Sequence, residues 1–141
     1  MKKCLKKFSA LLLVVCTLVV SVCLVACSKE ADGEVVKAEE NLLVIRVTDA
    51  PEGATLKDVM EKMQADGEIS FEQSGGMILS VNGKGTQGNS FWCLYTSDAD
   101  FANSAWGSTE LDGVTYDSAT FGYERLPVFE GELYIWQIAT W

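Results

Sequence analysis

Apolar positions divide the chain into an apolar start, a polar stretch and an alternating remainder. From Phe8 to Ala26 they are nearly continuous, broken only by small or weakly polar residues such as Ser9, Thr17 and Ser21. From Ser28 to Glu40 they thin out to little more than Val35-Val36. From about Asn41 to Trp141 they return in short runs separated by Gly, Pro, Asn and Asp. That last pattern is that of a small folded domain built mainly of strands.

The runs predict its elements. Leu42 to Thr48 is β-branched and nearly all apolar apart from Arg46, so it reads as a strand covered on both faces. Pro51 and Gly53 turn the chain. Leu56, Val59, Met60 and Met63 then recur at the spacing of one helix face. Thr55 and Asp58 have capping-box spacing before that face, and Gly67 suits its end. A helix this short needs a sheet to lie on. Short strands are expected at Ile69 to Glu72 and at Met77 to Val81, separated by Gly75-Gly76. Asn82-Gly83 is a tight-turn signal. Ser90 to Thr96 is a strand with Trp92 and Leu94 on one face and Phe91, Cys93 and Tyr95 on the other. Glu132 to Ala139 closes the domain, with Leu133 and Ile135 opposite Tyr134, Trp136 and Ile138. The expected class is α+β.

The apolar start follows Lys2, Lys3, Lys6 and Lys7, the layout of a secretory signal. A transmembrane anchor of similar length is the competing reading. The order Leu24-Val25-Ala26-Cys27 resembles a bacterial lipobox, in which the thiol takes a diacylglyceryl group and a peptidase cuts before it. The resemblance implies a signal peptide over 1–26 and a lipidated Cys27. It also implies a protein held by palmitate-type acyl chains on the extracytoplasmic face of a bacterial membrane. Each buried methylene contributes about 0.8 kcal/mol, so several chains on one cysteine hold firmly. Residues 27–40 then read as anchor and flexible tether, and 41–141 as the folded domain.

Charge narrows the partners. All twenty acidic residues lie after Cys27. Four of the eleven cations are signal lysines, so the mature chain has seven cations against twenty carboxylates, a net charge near −13. Nucleic acid is thereby an unsuitable partner. The sequence contains no histidine, which removes Ser-His-Asp and Cys-His catalysis and the commonest zinc sites. Cys93 is the one thiol beyond the anchor and reads as a small core residue. A carboxylate pair for glycan hydrolysis has no pattern behind it. Asp98 to Asn103 alternates oxygen ligands but lacks the glycine of a calcium loop, so a solvated acidic loop is the better reading. No enzyme, cofactor or metal is expected.

Binding is the reading that remains, and the aromatics carry it. Trp92, Trp136 and Phe91 lie in strands and are expected mainly in the core. Trp106 lies among Asn103, Ser104, Ala105, Gly107 and Ser108, inside a polar stretch from Ser97 to Phe121. A stretch of that length without elements of its own is functional or poorly ordered. Trp106, Tyr116 and Tyr123 are therefore the candidate ligand-binding residues, because an apolar face with a polar tip suits flat rings, sugars and protein surfaces.

The order of elements has a counterpart. Pro51-Glu52-Gly53-Ala54-Thr55-Leu56-Lys57-Asp58-Val59-Met60, Leu79-Ser80-Val81-Asn82-Gly83-Lys84, Phe91-Trp92-Cys93-Leu94-Tyr95 and Phe129-Glu130-Gly131-Glu132-Leu133-Tyr134-Ile135-Trp136 resemble bacterial domains akin to the C-terminal β-domain of transcobalamin and intrinsic factor. The resemblance covers about Leu43 to Trp136. It implies a β-grasp-like mixed sheet packed on one helix, and a corrinoid (cobalamin-type) ligand. In the transport proteins a helical domain completes that site. It is absent here, and the Ser97 to Phe121 insertion is additional, so a transporter or second surface protein would have to contribute. The competing expectation is a structural or adhesive surface domain that binds protein or polysaccharide.

Overall fold

The structure, a computed structural model, describes residues 29–141. The signal peptide expected at 1–26 and the lipidation expected at Cys27 lie outside the described residues. No helix among the described residues is long and apolar enough to cross a membrane.

The elements in chain order are β1 (Asp32–Glu39), β2 (Leu42–Asp49), α1 (Leu56–Ala65), β3 (Phe71–Ser74), β4 (Met77–Val81), β5 (Lys84–Gly85), β6 (Ser90–Thr96), β7 (Ala102–Leu111), β8 (Val114–Ala119) and β9 (Leu133–Thr140). A six-stranded sheet runs β1-β2-β9-β6-β8-β7, and a three-stranded sheet runs β3-β4-β5. The class is α+β. Every strand pairing among the described residues is antiparallel, so the large sheet is not the mixed sheet expected.

Each face of the large sheet has its own core. On one face Leu43, Ile45, Val47, Tyr134 and Trp136 meet Leu56, Val59, Met60 and Met63 of α1. The helix begins where Asp58 accepts hydrogen bonds from the Thr55 amide at 2.9 Å and its hydroxyl at 3.0 Å. On the other face Leu42, Val44, Tyr95 and Ile135 form a smaller cluster. The β7–β8 hairpin bends back over it, packing Leu111 and Tyr116 against these side chains. Its tip comes within 4.0 Å of β1 at the Lys37–Asp112 ion pair. This is why β2 is apolar on both faces.

Two segments differ from the sequence reading. Asp32–Glu39 is not a tether: it forms β1, paired along its length with β2. Its inward positions are small, with Gly33 buried against Ile45 and Val59, so no apolar alternation marks it. The stretch from Ser97 to Phe121 is not a loop but carries β7 and β8. Their turn is Asp112-Gly113, both at positive φ (51° and 81°), which suits a two-residue hairpin.

Candidate functional site

An elongated groove of about 380 Å³ opens on the helix-bearing side of the large sheet. Its floor is Trp92 of β6 and Trp136 of β9, on adjacent strands in which Leu94 pairs with Trp136 and Trp92 with Ile138. Both indoles are committed to the fold. Trp92 Nε1 donates to the Lys84 carbonyl at 2.9 Å, and Trp136 Nε1 donates to Met60 Sδ at 3.3 Å. Tyr123 stands edge-on to Trp136, with ring centroids 6.5 Å apart, and to Phe71 at 5.8 Å.

The rim is different in kind. Met77 at the start of β4, Phe121 after β8 and Trp106 are 58, 45 and 56 % exposed. Trp106 reaches this position through an irregularity in β7. Asn103 pairs with Ser118 and Ser108 with Asp117, so residues 104–107 on β7 have no counterpart on β8. An insertion of this kind bends a strand and re-aims its side chains. Gly107 at φ +116° takes the turn that ends it. Ser118 Oγ donates to the Trp106 carbonyl at 3.2 Å, and Asn103 Oδ1 accepts from the Ala105 amide at 2.9 Å, which hold the bulge at both ends.

No Asp, Glu, Lys or Arg lines the groove. At its edge the Glu124 side chain lies over Gly76. A neutral aromatic trough with backbone polar groups suits an apolar or flat ligand face. Other hollows of comparable or larger size carry charge or polar walls: the one beside Phe71 and Tyr123 holds Glu61 and Glu72, the one beside Phe129 holds Glu52 and Arg125, the one beside Ala31 holds several carboxylates, and the one beside Ile138 is mainly polar.

The three expected ligand residues separate. Trp106 and Tyr123 line the groove, whereas Tyr116 belongs to the cluster on the opposite face of the sheet. Tyr123 is 1 % exposed, so its ring is core that closes the groove from below and not a free binding side chain. Burial, then the neighbouring Glu124, pushes its phenol up. Met77 and Phe121 were missed by sequence reasoning: Met77 opens the apolar run Met77-Ile78-Leu79 and so reads as an ordinary strand residue, and Phe121 is a single apolar side chain beside Gly122 with no periodic signal.

Cys93 lies in a strand that borders the groove, but its side chain packs with the cluster on the opposite face, and burial pushes its thiol up, which disfavours the thiolate a nucleophile requires. Among the described residues no cluster of three or more His, Cys, Asp or Glu side chains is placed to hold a metal ion.

Comparisons of the chain with protein families, with curated proteins and with solved structures return no significant match.

Proposed function

We propose that this chain is a non-catalytic, lipid-anchored binding domain of the extracytoplasmic cell surface, and that the groove beneath Trp106 receives a flat, ring-bearing ligand. The observation that carries the reading is the bulge at residues 104–107. It lifts a tryptophan out of a hairpin edge and sets it over a trough floored by Trp92, Trp136 and Tyr123, which are fixed by the core.

Size limits the ligand. Sites that enclose a drug-sized molecule have volumes of roughly 300–1,000 Å³. A groove of about 380 Å³ covers one ring system, or one face of a larger macrocycle. The corrinoid class that the transcobalamin-like, β-grasp-like reading brings is therefore proposed as a face-on ligand, with its other face left to a transporter or a second surface protein. An adhesive role through a protein or polysaccharide is the alternative that the test below separates.

The test is tryptophan fluorescence of residues 29–141 titrated with a cobalamin and with a precursor corrinoid lacking the lower base. Saturable quenching that disappears in Trp106→Ala supports the reading. Linear loss alone removes corrinoids and moves the search to oligosaccharides and protein partners. Anchoring is tested by Cys27→Ala, which on this reading leaves the protein unprocessed or releases it to the medium.

A further inference from the structure

We infer that the anchored domain rests on the bilayer through one end of its large sheet, where Phe101, Phe121 and Phe129 form an aromatic cluster. The inference depends on the anchoring of Cys27 proposed above. Its starting point is how little chain separates that anchor from the fold. Ala31 is already buried in the core, and β1 begins at Asp32. An extended residue spans at most about 3.6 Å, so the links from Cys27 to Asp32 reach no more than about 18 Å. The end of the sheet at which β1 begins cannot stand far from the membrane.

The pairing shows what else lies at that end. Asp32 and Gly33 pair with Asp49 and Val47 of β2. Val47 in turn exchanges hydrogen bonds with the segment leading into β9, accepting from the Gly131 amide at 2.8 Å and donating to the Glu132 carbonyl at 3.1 Å. Neighbouring strands are about 4.8 Å apart, so Gly131 lies about 10 Å from Gly33. Phe129 precedes Gly131 by two residues and stacks on Phe101, with centroids 6.1 Å apart and planes 19° apart. Phe121 meets the same Phe101 ring at 6.2 Å. Phe121 and Phe129 remain 45 and 49 % exposed.

Contiguous exposed aromatics mark a contact surface. The short tether selects its occupant, the headgroup–acyl boundary of the membrane that carries the anchor. The lipid chains on Cys27 keep the cluster at high local concentration against that boundary, so weak apolar contacts suffice. Charge sets the lipid preference. Glu52 and Arg125 share the hollow beside Phe129, Glu130 follows Phe129 in the chain and Glu132 bonds Ser97, so carboxylates outnumber the one cation around the cluster. A lysine or arginine near an anionic surface gains about 1 kcal/mol, and a carboxylate there is disfavoured in the same way. The contact is therefore apolar in origin, strongest on zwitterionic lipid and weaker on anionic lipid at low salt. Trp92 lies farther along β6 from this end of the sheet, whereas Phe121 is shared between the cluster and the groove rim.

The test attaches residues 27–141, carrying Cys93→Ser, through Cys27 to a maleimide-bearing lipid in phosphatidylcholine vesicles. Amide hydrogen exchange is compared with that of the same chain capped at Cys27 and free in solution. Exchange in residues 97–101 and 120–131 should slow several-fold on the vesicle, with residues 82–89 unchanged. The Phe121→Ser/Phe129→Ser pair, both exposed, should abolish the slowing while the chain stays attached and folded. Unchanged exchange at both ends, or slowing centred on residues 82–89, overturns the contact. The mass of the protein isolated from cells reads the anchoring separately: an unmodified Cys27 would overturn the anchor itself, whatever the vesicle-bound chain does.

Discussion

The carbonyl of Trp106 accepts a hydrogen bond from Ser118 Oγ at 3.2 Å, tying the bulged stretch of β7 to the strand it fails to pair with. The tryptophan is thus held by its backbone while its side chain projects over Trp92 and Trp136 and stays 56 % exposed. Backbone and side chain have separable roles, and substitutions can distinguish them.

Trp106→Ala removes an exposed ring and leaves the bulge intact. Unfolding stability in urea should change by no more than about 0.5 kcal/mol, the usual range for surface substitutions. Gly107→Ala acts in the opposite way. An added Cβ has room, its nearest neighbour being Ser118 Oγ at 3.5 Å, but φ +116° is a strained conformation for alanine. A loss of about 1–3 kcal/mol is expected, with a changed emission maximum as Trp106 shifts. Equal stability losses in the two variants would mean that Trp106 is part of the core.

Strand β1 should prove necessary to the fold. A Cβ on Gly33 would lie 2.9 Å from Val59 Cγ1 and 3.0 Å from both the Arg46 carbonyl oxygen and Ile45 Cγ2. Gly33→Ala should therefore destabilise by about 1–3 kcal/mol through overpacking between β1, β2 and α1. A chain starting at Asn41 loses the strand that covers this edge and should unfold at lower urea with reduced cooperativity. An unchanged midpoint for both would show that β1 is dispensable.

Alkaline pH should weaken the fold through Tyr134. Burial pushes its phenol up to about 12 from the ordinary 10. Its hydroxyl accepts from the Phe129 amide at 3.2 Å and donates to the Pro127 carbonyl at 3.4 Å. A group whose pKa is raised by folding stabilises fully below its unfolded value and loses that contribution as pH rises through the folded value. Stability should be level up to pH 9 and fall by roughly 2 kcal/mol between pH 10 and 12, at 1.36 kcal/mol per unit. Tyr95 and Tyr123, whose phenols burial also pushes up, add in the same direction. Tyr134→Phe should be less stable at pH 8, by about 1 kcal/mol for the lost hydrogen bonds, yet fall less steeply above pH 10. The check is a series of urea midpoints with and without the substitution.

Asp58→Ala should cost about 1 kcal/mol, since its carboxylate accepts from both the amide and the hydroxyl of Thr55 at the start of α1. Circular dichroism on thermal unfolding measures it.

The parts of this fold that were legible in the sequence are those where side chains repeat with a period. Leu56, Val59, Met60 and Met63 are buried on one face of α1 as their spacing requires. Trp92 and Leu94 face the helix side, while Cys93 and Tyr95 face away. β1 was hidden because the buried positions at its start are Ala31, just before the strand, and Gly33 within it, while Val35 and Val36 are exposed. Small residues that permit close approach leave no hydropathy signal.

The β7–β8 hairpin was hidden for another reason. Much of it is polar on its exposed side, and its bulge breaks the alternation that would have revealed β7. One local signal was available: Asp112-Gly113 between Leu111 and Val114 is a two-residue hairpin turn. Of the candidate site, Trp106 was legible as a tryptophan without an apolar pattern around it. That Tyr123 closes the groove from the core, and that Tyr116 serves the opposite face, depends on chain reversals after β8 and at the hairpin tip that composition does not encode.

A ligand held in the groove beneath Trp106, as proposed, would be seen by the groove's own amides. The most direct measurement is a nitrogen–proton correlation spectrum of residues 29–141 with a precursor corrinoid added stepwise. Saturable shifts are expected for the Trp106 indole and the amides of Met77 and Phe121, with the Leu111 and Tyr116 amides on the far face unmoved. Shifts confined to the far face, or none at saturating corrinoid, would contradict it.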